Sequence, residues 1–347
     1  MNHSLYSWRC VYTVLKVQTF ALSGRMTRRD VLIITLPLAL AVLTGMIYAL
    51  SDTLLVPNFS LHSLVTIARS WRDQSVRVVT YNIRYAGSES GPMSWLERHG
   101  AVIATLRRTN PHLIGMQEVL LNQAFDIRSQ MHEYEMVATG RDDGHDHGEM
   151  AAIMYLRERF EHVANGTFWL SSTPSVIGSV GWDAVLPRIV TWAKLLDRYV
   201  GREILFFNTH WDHVGPNARV ESARLMRSKM VEIAGPATPA GRGTGIIVTG
   251  DFNTNQSSPE YQTLLAQTDK AMPLMDAYAT VRSSTVEERT AVTFHDWYKK
   301  NWGGRIDWLL HSRHFQTVTA DIDHMTVASS QYSSDHYAVT ATLDWVG

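Results

Sequence analysis

From Val76 onward the chain is predicted to be α/β, two packed sheets covered by helices, on three observations. Runs rich in β-forming residues alternate with segments of helical period throughout that stretch. No fixed-period repeat and no low-complexity tract breaks it up. A hydrophobic content of 45% over 347 residues is ample for a full core, so one continuous domain over residues 76–347 is the simplest account.

The region ahead of that domain divides into three. Residues 1–30 form a basic N-terminus with Arg9, Lys16, Arg25, Arg28 and Arg29. Val31–Leu50, VLIITLPLALAVLTGMIYAL, is twenty residues without a charge, the length of a bilayer-spanning helix, and reads as one transmembrane or signal helix. Only Asp52 follows closely, so the positive-inside rule puts the N-terminus in the cytoplasm and the domain on the periplasmic or extracellular side. No small-x-small cleavage pattern stands out around Tyr48–Ser51, which favours a retained anchor over a cleaved signal. The phrase TRRDVLI from Thr27 also resembles a twin-arginine export signal, and Met26 is an alternative start. Residues 51–75 read as a tether with Pro57 and several serines, carrying one short amphipathic helix through Leu61, Leu64, Ala68 and Trp71.

Within the domain, strands are expected at Arg77–Ile83, Leu113–Met116, Ala151–Tyr155, Ile189–Leu196, Glu203–Thr209, Gly245–Thr249, Ile306–Leu310 and Ala338–Leu343. Each is a short apolar run too brief for a helix. Helical period marks Leu96–Arg108, with Leu96, Ile103 and Leu106 on one face. A second helix is expected over Ala218–Ile233, with Val220, Ala223, Met226, Met230 and Ile233 on one face.

Chemistry-bearing side chains sit at the ends of these runs, where an α/β sheet gathers its ligands. VVTYNIRY ends near Asn82, IGMQEV near Glu118, FFNTHWDH at His210 and His213, and VTGDFN at Asp251 and Asn253. GRIDWLL carries Asp307 at the start of a strand, and SSDHYAV carries Asp335 and His336. Asp251 and Asn253, two residues apart, point to the same side in extended backbone. Asn82 and Glu118 offer hard oxygens of the kind Mg²⁺ or Mn²⁺ prefers. A carboxylate bonded to an imidazole would fix its tautomer and raise its basicity, as wanted beside a phosphoryl centre. The only cysteine, Cys10, lies ahead of the domain, so the domain has no disulfide, thiol nucleophile or cysteine-ligated metal.

Taken in this order, the six phrases resemble the endonuclease/exonuclease/phosphatase family of metal-dependent, DNase I-like phosphoesterases, in a membrane-anchored bacterial-type branch. The resemblance covers about Val76–Val346 and implies a four-layer α/β sandwich, two packed mixed sheets flanked by helices, with the site at one end of the sheets. It implies that Asp251 positions and activates the attacking water and Asn253 orients the phosphate or water. Glu118 would be the principal ligand of Mg²⁺ or Mn²⁺, with Asn82 supporting it or the phosphate and Asp335 contributing; Asp307 would pair with His336. His210 aligns with a histidine that some branches place near the leaving group or phosphate. The loop from Gly140 to Tyr155 resembles the branch in which a glutamate, here Glu149, sits beside that histidine.

Four further expectations concern the pocket and its surroundings. Arg141 and Arg188 are candidates for a bidentate phosphate clamp, with exposed ion pairs as the alternative. His213 and His295 either line the pocket or make structural hydrogen bonds. Trp211, Trp297 and Trp302 could wall a sugar or base or sit in the core. His145 and His147, in a short loop, read as solvated rather than as a second metal site.

Of 32 Lys+Arg and 33 Asp+Glu, 7 and 3 precede Val76, leaving 25 against 30 in the domain. Such an acidic domain has no general attraction for long polyanions. The function expected is therefore metal-dependent hydrolysis of a small phosphate ester or lipid headgroup. A nuclease acting on DNA or RNA is the second reading, and a membrane-tethered binding module without catalysis the third.

Overall fold

The computed structural model describes residues 74–235, 243–265, 273–282, 291–298, 304–325 and 332–346. The expected span Val31–Leu50 and the helix through Leu61–Trp71 lie outside them, as does Trp302. Among the described residues no helix is long and apolar enough to cross a membrane.

The strands are β1 (Val76–Asn82), β2 (Leu113–Val119), β3 (Tyr134–Val137), β4 (Met150–Leu156), β5 (Phe160–Trp169), β6 (Ile189–Asp197), β7 (Arg202–His210), β8 (Gly245–Asp251), β9 (Leu274–Asp276), β10 (Asp307–Ser312), β11 (Phe315–Asp323) and β12 (Ala338–Trp345). The helices are α1 (Trp95–Thr109), α2 (Leu121–Gln130), α3 (Pro216–Ala234), α4 (Pro259–Leu265) and α5 (Ala277–Arg282). One six-stranded sheet has the order β11-β12-β1-β2-β4-β3 and the other β5-β6-β7-β8-β10-β9. Both are mixed: β1 and β2 are parallel, β7 and β8 are parallel, and the remaining pairings are antiparallel.

The apolar runs are continuous because both faces of the inner strands are covered. Val78, Leu113, Ile204, Phe206, Ile247 and Leu309 meet in the layer between the sheets. Their neighbours in sequence face outward. Val79 and Ile114 pack with Val102, Ile103 and Leu106 of α1. Leu205, Ile246, Val248 and Leu310 pack with Met226 and Met230 of α3. Three apolar layers thus separate four structural layers, helix, sheet, sheet, helix, as expected.

α1 buries Trp95, Arg98, Val102, Ile103 and Leu106, whereas Leu96 is 76% exposed. The expected face holds for Ile103 and Leu106 and is corrected at Leu96, which lies in the first turn of the helix, where Trp95 takes the buried position. Burying a side chain such as Leu106 contributes about 1.5–3 kcal/mol. α3 opens with Pro216, and Asp183 accepts from the free N–H groups of Asn217 (3.2 Å) and Ala218 (2.5 Å) there. At the other end of β1, the buried Arg159 pairs with Asp197 at 2.8 Å and donates to the carbonyls of Ser75 (2.6 Å) and Gln74 (2.8 Å). The chain therefore enters the domain at the pole opposite Asn82.

Toward Asn82 the layer between the sheets turns polar. Asn208 donates to the carbonyls of Met116 (2.8 Å) and Ala152 (2.9 Å) on the facing sheet, and accepts from Gln117 (2.7 Å) and Thr249 (3.0 Å). Gly115 makes this approach possible, since a Cβ there would lie 2.0 Å from Thr249 Oγ1. Gly115→Ala is expected to destabilise the fold by about 1–3 kcal/mol or more through overpacking. Equilibrium denaturation would check this, and an unchanged midpoint would contradict the close sheet contact.

Candidate active site

The motifs converge because of strand direction. β1, β2, β7 and β8 run toward one end of the sheets and bring Asn82, Glu118, His210 and Asp251 there. β4, β6, β10 and β12 run away from it, so Glu149, Arg188, Asp307, Asp335 and His336, at or just before their starts, arrive at the same end. In the register, Asp251 lies opposite Asp307 and beside His210. A cavity of about 570 Å³ opens here, and Glu118, Glu149, Arg188, His210, Asp251 and His336 help line it.

Asn82 is fully buried and donates to Glu118 Oε1 at 3.0 Å and to Asp251 Oδ2 at 2.9 Å, joining an acid from each sheet. Its own oxygen accepts from Arg84 N at 3.0 Å. The amide is thus a donor between two acids, which differs from the expectation of an oxygen offered to a cation. Glu118 has φ +61 at a bulge between β2 and β4, and its Oε2 accepts from Tyr85 N at 3.0 Å.

His336 Nδ1 faces Asp307 Oδ2 at 2.9 Å and its Nε2 lies 3.7 Å from Asp251 Oδ2. Burial alone would lower the imidazole pKa, but Asp307 and Asp251 outweigh it and push it up to about 10. Burial, reinforced by Asp307, raises the carboxyl of Asp251. His210 is the opposite case: burial first and then Arg188 push it down to about 3, so it is a neutral imidazole. Its Nε2 accepts from Asn253 Nδ2 at 2.9 Å, which leaves the proton on Nδ1, 3.5 Å from Glu149. Asn253, at φ +51, donates through its backbone N–H to Asp251 Oδ1 at 3.0 Å.

On the far wall Arg141 spends its fork on Glu149, at 2.8 and 3.0 Å. Arg141 is thus held by an ion pair, the alternative expected for it, although a buried one, and it still lines the cavity. Arg188 lies 3.4 Å from Asp212 through Nε and 2.9 Å from His213 through Nη2, while its buried Nη1 makes no hydrogen bond among the described residues. His213 is exposed and lines the cavity.

His295 does not line the cavity. It is buried between Tyr332 and Tyr337, with ring centroids 4.3 Å from each, and its backbone N–H donates to Asp335 O at 2.9 Å. Burial and the nearby His336 push it down to about 4. Its neighbour Phe294 takes the lining position, 4.9 Å from the His336 ring. Trp211 is core, edge-on to Phe252 at 4.8 Å, and Trp297 is buried near Arg98, at 5.8 Å. His145 and His147 are exposed, their backbone N–H groups held by Asp143.

Arg84 was missed in the sequence although it follows Asn82 by two residues. Its guanidinium lies 3.5 Å from Asp335, 3.9 Å from Glu118 and 3.1 Å from Glu89. Its loop is held by Arg98, which donates to the carbonyls of Ile83, Arg84 and Ser333. The Arg84 guanidinium thus sits between Glu118 and Asp335, two carboxylates whose hard oxygens are of the kind a divalent ion takes. A second buried group, Asp251, Asp307 and His336, has ligand atoms within 4.8 Å of one another. That set differs from the expected Asn82, Glu118 and Asp335.

A model of the endonuclease/exonuclease/phosphatase family matches residues 79–336. The chain belongs to this family. It is a metal-dependent phosphoric ester hydrolase, as the family's phosphatase and nuclease members are. A family member from Bacteroides vulgatus is 33% identical, covers 79% of this chain and 100% of its own, and has a TM-score of 0.69. A mannosyl-6-phosphatase of Bacteroides thetaiotaomicron is 32% identical over 78% of this chain and 100% of its own, with a TM-score of 0.68. The human Nocturnin catalytic domain, 18% identical over 80% of this chain and 98% of its own with a TM-score of 0.61, shares the fold. Comparison with curated protein sequences finds no match.

The His336 ion pair carries a pH signature. Because its folded value, about 10, lies above the ordinary one near 6.5, its stabilisation is complete below about pH 6.5 and is lost as the pH climbs through about 10. Asp307→Asn should bring the imidazole titration down toward the ordinary range and remove that alkaline loss. Imidazole NMR titration with unfolding at pH 7 and 10 tests this; an unsubstituted His336 titrating near 6.5 contradicts it.

Proposed function

We propose that the enzyme hydrolyses a small phosphate ester, free or as a lipid headgroup, outside the cytoplasmic membrane, to which Val31–Leu50 anchors it. The observation that carries the substrate class is the cavity's far wall. Arg141 is neutralised by Glu149, and Arg188 Nη1 is left with hydrogen to donate, so the wall offers one compact anion-binding group instead of a basic stripe. A volume of about 570 Å³ suits a compact substrate. The mannosyl-6-phosphatase among the similar structures supports the same class.

In this reading Glu118 and Asp335 hold Mg²⁺ or Mn²⁺. When bound there, such an ion would supply charge stabilisation to phosphate oxygens. Asp251 takes a proton from the attacking water; its raised pKa suits a base, and Asn82 and the Asn253 N–H fix its two oxygens. His336, kept protonated by Asp307, turns Nε2–H toward the reacting phosphate. Neutral His210 and Asn253 orient one another and offer polar atoms at the cavity wall.

Two measurements test the proposal. A panel of phosphomonoesters, phosphodiesters, phospholipids and nucleic acids, assayed with Mg²⁺ or Mn²⁺ and with EDTA, should show metal-dependent turnover and the highest kcat/KM for small esters or lipids. Full turnover in EDTA would refute metal dependence, and efficient cleavage of DNA alone would establish the nuclease reading instead. Separately, Asp251→Asn and His336→Ala should each lower kcat by roughly 10²-fold or more with the fold intact. Near-normal turnover in either folded variant would remove that residue from the reaction.

A further inference from the structure

The connection from β5 to β6 carries an apolar surface that the reaction does not use. Between Leu170 and Leu186 its sole charge is Asp183, which is spent on the N-terminus of α3. Val176, Ile177, Val180, Trp182, Val185 and Leu186 are nonetheless 38–55% exposed. A run of large exposed apolar side chains marks an interaction surface. The segment is also built rather than loose. Ser171 Oγ meets Ser179 Oγ at 2.7 Å, Trp169 N donates to Pro174 O at 2.9 Å, and Ala184 N to Gly181 O at 2.9 Å. Val185 N reaches Asp212 at 3.4 Å, which sets the segment beside the exposed Val214, and Leu186 itself lines the catalytic cavity.

We propose that this rim seats in the surface of a phospholipid bilayer and presents the cavity to phosphate esters at the lipid–water interface. The proposal rests on the membrane anchor of the proposed function. The arrangement of the rim suits an amphiphile: a polar cavity that takes a phosphate, edged by side chains that take the apolar part. The segment itself has no free charge, and the loop packed on Ile177 and Gly178 carries the half-exposed Asp142 and Asp146, so the rim suits a zwitterionic lipid surface over an anionic one or an acidic protein partner. Tether length agrees as well. The chain enters the domain at the pole opposite the cavity, yet residues 51–73 can reach up to about 80 Å. A domain of this size is only about 50 Å across. A span at Val31–Leu50 therefore leaves the rim within reach of the bilayer that holds it.

The test uses the full chain with Cys10→Ser and a single environment-sensitive label at Val180→Cys. A control carries the label at Val163→Cys, exposed on β5 toward the opposite pole. Mixed with phosphatidylcholine vesicles bearing doxyl-labelled lipid, the Val180 label should shift to the blue and be quenched about twofold, the control far less. Ile177→Ser with Val185→Ser should abolish the quenching without altering turnover of a soluble phosphate ester. Vesicle-bound protein with equal quenching at the two sites overturns the rim while leaving the anchor standing. Protein that does not float with vesicles overturns both. A blue shift without vesicles, in protein of dimeric mass, overturns the proposal in favour of a second copy of the chain.

Discussion

The Asn82 carboxamide is the contact on which the site depends. Glu118 and Asp251 come from different sheets, and two buried carboxylates brought together repel unless something neutral or positive stands between them. Asn82 gives one amide hydrogen to each and adds no charge. A buried acceptor stripped of its donor costs about 1–3 kcal/mol, and here one substitution would strip two. The geometry holds because the sheets are already locked beneath it. Asn208 donates across to Met116 and Ala152, and Gly115 lets Thr249 come close enough to complete the polar layer.

Two histidines within reach of the same Asp251 are driven in opposite directions by their neighbours. His336 has a carboxylate on each side and stays protonated. His210 is buried with Arg188 nearby and stays neutral. The difference lies in which strand end each occupies: His336 precedes β12, next to Asp307 of the other sheet, whereas His210 ends β7 toward the Arg188 wall. A charged imidazole and a neutral one beside a single acid make a polarised site from two residues of the same type.

The inner strands were legible in the sequence and the edges were not. All eight expected strands are the interior ones, whereas β3, β5, β9 and β11, which went unrecognised, are the four sheet edges. Edge strands are covered on fewer sides, so they lack the apolar run that marks the others: in β11 buried and exposed positions mingle, and β5 is exposed through Glu161, His162 and Val163. The same logic governs the site. Residues placed by strand ends, such as Asp251, Asp307 and His336, stand out in the sequence by position, and the family resemblance supplies their roles. Arg141, His295 and Arg84 could not, because their roles depend on partners from other loops: a glutamate that captures a guanidinium, two tyrosines that enclose a ring, and carboxylates that surround a cation.

Glu118 shows where simple strand parity fails. Leu113 faces the layer between the sheets and Gln117 bonds to Asn208 there, so alternation along β2 would send residue 118 outward with Ile114 and Met116 into the helix-covered core. A carboxylate in that apolar layer would be costly. The register of β2 against β4 slips between Met116 and Val119, Glu118 takes φ +61, and Val119 returns to the apolar layer in its place. The bulge thus re-aims one side chain without disturbing the strand before it. Arg84 and Asn253, also at positive φ and each two residues past a strand end, repeat the device. A non-glycine backbone in that region costs about 1–3 kcal/mol, and three such residues around one cavity are held there by the contacts each then makes. Regular secondary structure carries the chain to the site, and the departures from regularity turn the acid, the amide and the cation into it.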